Sequence, residues 1–112
     1  MIALALVMAA SSQFITGRSL YDDCAAPSAA RQAHCIGFIT GVSDTLAYME
    51  ADSPAPLLCI PDEIEAGRLR DVVTRYLAAH PSLLNLSASS LAAKALVGAW
   101  PCASRTVAAN RR

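Results

Sequence analysis

Six prolines, at positions 27, 54, 56, 61, 81 and 101, divide this chain into a few segments of helix length. Proline has no backbone N–H and its ring clashes with the preceding turn, so a helix interior does not accept it. The intervening segments read as helical. Glycine is scarce, alanine is abundant, and no four-residue run alternates β-branched with polar residues as a half-buried strand does. The expected fold class is all-α: a small compact bundle of about four helices.

The first helix is expected from Thr16 to about Ala25, with Leu20, Tyr21 and Cys24 on one side and Pro27 as its stop. A second, from Ala29 to about Ala51, carries Cys35, Phe38, Ile39, Val42, Leu46 and Met49 at three- and four-residue steps. "ADSPAPLLCIP" comes next as a semi-rigid loop bounded by Pro61. The third helix starts within Asp62 to Ala66, where Asp62, Glu63 and Glu65 suit the positive end of a helix dipole. It runs to about Ala79 with Leu69, Val72, Val73, Tyr76 and Leu77 on one stripe. Ser87 is the expected N-cap of the last helix, Leu86 and Leu91 occupy hydrophobic-staple positions, and Leu91, Ala95, Leu96 and Trp100 form its buried face.

At the front, the apolar run Ile2 to Ala10 closes on Ser11 and Ser12, which reads as the remnant of a signal peptide over residues 1–12. The run is too short to span a bilayer, which takes about 20 residues. Residues 13–102 form the expected helical domain, and residues 103–112 lack apolar periodicity and read as a flexible tail.

Four cysteines in so short a chain suit an oxidising compartment, where covalent staples supplement a small core. Of the three possible pairings, the helix layout selects one. Cys24 ends the first helix and Cys35 lies in the first turns of the second, across a proline bend. If the third and fourth helices are antiparallel neighbours, Cys59, just before the third, meets Cys102, just after the fourth. The expected disulfides are therefore Cys24–Cys35 and Cys59–Cys102, with no metal role. Zinc ligands want close pairs, and separations of 11, 24 and 43 residues do not supply them. His34 and Cys35 are sequence neighbours whose side chains diverge on a helix by about 100°, an unsuitable arrangement for a nucleophile and its base.

No phosphate loop, nucleophile elbow or HExxH occurs, so no catalytic residue, cofactor or metal is expected. With nine basic and nine acidic residues the formal charge is zero, which argues against nucleic acid as a partner. Gly37 and Gly41, four apart, are expected to let another helix approach closely, mainly within the domain and alternatively in a homodimer. Asp44 either faces solvent or accepts a hydrogen bond from Tyr48. The acidic, proline-stiffened stretch beginning at Glu50 suits insertion into a cationic cleft, and Glu50, Asp52, Ser53 and Pro54 are the candidate partner-binding residues. Gly37, Gly41, Asp44, Pro61 and Trp100 are read as structural.

"CIGFITGVSD", "CIP", "LRDVVTRYLAAHPSLLN" and "ALVGAWPC" occur in an order that resembles the type VI secretion amidase immunity proteins (Rap- and Tai-like immunity proteins) over Leu20 to Cys102. The resemblance implies a compact helical periplasmic protein that binds and blocks a peptidoglycan amidase effector by contact, often as a dimer, and does no chemistry. An alternative is a periplasmic helical binding or stress-response module with another client. The matching positions are scaffold positions, so no gripping residue is implied by the motif itself.

Overall fold

A computed structural model describes residues 14–102; the expected signal remnant and the expected tail lie outside the described residues. Among these, the chain forms α1 (Gly17–Ala25), α2 (Ala29–Met49), α3 (Ala66–Ala79) and α4 (Ala88–Ala99), with a 3₁₀ turn at Pro81–Leu83. No strand forms among the described residues; extended backbone meets only at isolated bridges, Thr16 with Ser87 and Leu58 with Pro101.

Local chemistry sets most helix ends. Thr16 Oγ1 accepts from the Ser19 N–H at 3.2 Å and Ser28 Oγ from the Arg31 N–H at 3.2 Å, each satisfying a donor that has no partner within its helix. Glu50 caps α2, so this helix ends at Met49, just short of the expected Ala51. At the end of α3 the His80 Nδ1–H donates to the Tyr76 carbonyl (2.8 Å), and the two rings lie 4.2 Å apart.

α3 begins at Ala66, inside its expected range, with Glu65 at the N-cap and Asp62 and Glu63 just before it; Glu65 makes no side-chain cap bond. Two expected helix-end devices are absent. Ser87 is the N-cap of α4, yet its hydroxyl pairs with that of Ser89 (2.9 Å) rather than with a backbone donor; separately, the Ala88 N–H donates to the Ile15 carbonyl (2.8 Å). Leu86, expected to staple onto Leu91, is 44% exposed. The chain around the start of α1 lies alongside 84–88, where Gly17 and Arg18 donate backbone hydrogen bonds to the Leu86 and Leu84 carbonyls.

The core joins all four helices through Leu20, Cys35, Ile39, Val73, Leu77, Leu91 and Leu96. Full burial of a Leu or Ile side chain contributes roughly 1.5–3 kcal/mol each. Leu69, Val73 and Leu77 of the expected α3 stripe are buried, with Val72 and Tyr76 packed against them. On α2 only Cys35 and Ile39 are buried; Phe38 and Val42 pack partly against the core, and Met49 is 70% exposed.

Both expected disulfides form, Cys24–Cys35 and Cys59–Cys102, each with Cα atoms 5.1 Å apart. Beside the first, Gln32 Nε2 donates to the carbonyls of Cys24 and Ala26 (both 2.7 Å), and its Oε1 accepts from Arg70 Nη1 (3.3 Å). One side chain thus ties α1, α2 and α3 together.

Candidate functional site

The segment from Glu50 to Leu58 closes on itself at the C-terminal end of α2. Its turn is built from local donors: the Ser53 N–H reaches the Glu50 carbonyl (3.0 Å) and the Ala55 N–H reaches Ser53 Oγ (3.2 Å). The Glu50 carboxylate accepts from the Leu57 and Leu58 N–H groups at 3.0 and 3.2 Å. Beyond the loop, the Cys59 N–H donates to the Trp100 carbonyl (2.8 Å) and Cys59 is bonded to Cys102, so the loop is fixed at both ends. Asp52, Ser53 and Pro54 stand exposed at its tip, whereas Glu50 is half-buried.

Large apolar side chains surround this tip. Tyr48 is 83% exposed, Met49 70% and Leu57 63%, and they join the end of α2 to the loop's returning segment. Sequence pattern marks none of them as a surface residue, since Met49 fits the apolar spacing of a buried helix face and Tyr48 carries no signal of its own. Exposed Tyr and Met so close together are typical of protein-contact surfaces, where a rigid amphipathic ring or an adaptable thioether supplies contact area.

From the loop an open apolar groove runs between α2 and α4. Its wider part, about 590 Å³, is floored by Gly37, Gly41 and Thr45 of α2 opposite Ser89, Ser90 and Ala93 of α4. Past Leu46 and Ala93 it continues as a hollow of about 410 Å³ that reaches Glu50, Leu57 and Leu58. Here the expectation that Gly37 and Gly41 admit a helix of the same domain fails: a Cβ on either would meet nothing within 4 Å, so no helix of this domain packs closely on them. The homodimer alternative is untouched by this. The glycine that admits a neighbour is Gly17, where a Cβ would fall 2.5 Å from Leu91 Cδ1.

The remaining candidates are dispersed. Asp44 faces solvent, the first of its two expected alternatives; Pro61 is exposed ahead of α3; Trp100 packs on the edge of the core at the end of α4. At the other end of the molecule Asp23 accepts from Arg31 Nε (3.0 Å) and His34 Nδ1 (2.6 Å), bridging α1 to α2 beside the Cys24–Cys35 bond. The Arg31 hydrogen bond holds the Asp23 carboxyl below its ordinary range; desolvation opposes this and His34 adds to it. Among the described residues no group of three or more His, Cys, Asp and Glu side chains could hold a metal ion. No described helix is long and apolar enough to cross a membrane.

A disulfide-anchored loop with apolar flanks can bind a partner surface. A family model described as Rap1a immunity proteins matches residues 16–102. No curated protein and no solved structure matches the chain.

Proposed function

We propose, given that the chain belongs to the Rap1a immunity protein family, that it acts in the periplasm to bind and block a peptidoglycan amidase effector of a type VI secretion system, without catalysis of its own. The family supplies the coarse role, an immunity protein whose partner is a secreted protein effector. The observation that carries the finer reading is the loop after α2: Asp52, Ser53 and Pro54 project from a turn held at both ends, with Tyr48, Met49 and Leu57 exposed around it. Such an element suits a cleft-shaped enzyme site. The acidic tip matches a cationic cleft lining, and the apolar flanks match its rim. The two disulfides favour an oxidising compartment, which supports the periplasmic assignment and export through a signal peptide.

The same reading puts a second copy of the chain on the open face of α2. Small residues at 37, 41 and 45 allow two helices to approach closely, and a formal charge of zero lets two copies meet without net repulsion. Sedimentation of the purified chain should then give a dimer that Gly41→Leu converts to monomer.

The principal test mixes the purified, disulfide-intact chain with an amidase encoded beside its gene and measures complex formation and peptidoglycan hydrolysis. A stoichiometric complex with loss of hydrolysis is expected. Undiminished hydrolysis together with no complex at micromolar concentration would overturn the reading for that partner.

A further inference from the structure

We infer that Glu50 is the positioning residue of the contact loop: it orders residues 51–56 for the partner and does not touch the partner itself. The inference rests on the proposed role of that loop and names the side chain on which the role depends.

Glu50 lies at the C-cap of α2, where its own N–H donates to the Leu46 carbonyl at 2.9 Å. Its position is therefore set by a 21-residue helix. Oε2 accepts the Leu57 N–H at 3.0 Å and Oε1 the Leu58 N–H at 3.2 Å, so each oxygen is committed to a donor at the far end of the loop. Leu58 is fixed independently, by its bridge to Pro101 and by the Cys59–Cys102 bond next to it. The carboxylate thus closes a short Ω-like loop across two fixed points. Within the loop, Pro54 and Pro56 have restricted φ and no N–H to satisfy.

A carboxylate fits this task because it is acceptor-only at both oxygens. Glutamine would turn an NH₂ donor towards one of the two N–H groups, and alanine would leave both without their acceptor. Without the clamp, the loop samples many conformations when free and must be ordered on binding, which costs affinity without removing any contact. The charge that a partner meets is then that of Asp52, at the exposed tip. Glu50 and Asp52, two acids of one short segment, consequently have different signatures.

The test uses the disulfide-intact chain. In the free protein, Glu50→Gln and Glu50→Ala should each speed amide exchange at Leu57 and Leu58 by about tenfold or more, the scale of one hydrogen bond to a charged acceptor. Helix content should be unchanged. Against the amidase, Glu50→Gln should weaken binding by about tenfold. Asp52→Asn should weaken binding without changing exchange at Leu57 or Leu58. Unchanged exchange at both amides in the Glu50 variants, or wild-type affinity in Glu50→Gln, would overturn the assignment. If the wild-type chain binds no amidase, the reading of function falls by itself, and the exchange measurement alone still decides whether Glu50 orders the loop.

Discussion

Gly17 lies directly beneath Leu91: a Cβ at position 17 would stand 2.5 Å from Leu91 Cδ1 and 3.2 Å from the Leu84 backbone. Backbone cannot withdraw cheaply, so Gly17→Ala should overpack this contact and lower unfolding stability by about 1–3 kcal/mol. Gly37→Ala and Gly41→Ala, whose new methyls meet nothing within 4 Å in the single chain, should change the stability of the monomer, at concentrations below any dimerisation, in the opposite direction. Each removes a flexible residue from a helix interior, a gain of about 0.5–1 kcal/mol. Urea unfolding of the three variants checks the sign at each position.

The two disulfides close loops of different length, with sequence separations of 11 and 43. Chain-entropy reasoning assigns them about 3 and 4 kcal/mol, comparable with the whole stability of a small domain. The double variant Cys59→Ala/Cys102→Ala should therefore lower Tm more than Cys24→Ala/Cys35→Ala, as read by calorimetry. It should also release the returning segment of the loop, which limited proteolysis near Leu57 would report.

Asp23 gives the fold a defined acid response. Its carboxyl titrates lower in the folded chain than in the unfolded one, chiefly because of Arg31. A depressed carboxyl stabilises the native state above its unfolded value, near pH 4, and that contribution disappears as pH falls through the lower folded value. The stability advantage of the wild type over Asp23→Asn should accordingly shrink as pH falls below about 4. Chemical denaturation at several pH values measures it.

Tyr48 and Met49 give the proposed interface its own test. At 83% and 70% exposure they contribute little to folding, so Tyr48→Ala and Met49→Ala should leave stability within about 0.5 kcal/mol of the wild type. Binding to the amidase should weaken by more than about 1 kcal/mol for at least one of them, as calorimetric titration would show. Full affinity in both variants would remove the apolar flanks from the interface.

Much of the fold was legible because its signals are local. Prolines mark the helix boundaries, and the α3 stripe faces inward as its spacing requires. Even the cysteine pairing was within reach, since an antiparallel α3–α4 pair places Cys59 beside Cys102. Where signals of the same kind competed, local pattern was insufficient. Ser87 has the residue type of a capping side chain and stands at the N-cap of α4, but its hydroxyl pairs with that of Ser89 rather than with a backbone donor. Gln32 had no distinguishing pattern, although it bonds three segments.

The candidate site divides in the same way. The amino-acid sequence by itself determined that a stiff acidic loop comes after the long helix and that cysteines flank the later half of the chain. Only the tertiary structure decided which acid holds the loop and which one faces outward, because that depends on Leu57 and Leu58 returning to Glu50. Only it decided that Gly17 is covered while Gly37 and Gly41 open onto a groove. Helical periodicity says which residues share a face; which faces meet is set by contacts between segments remote in sequence, and periodicity carries no record of them.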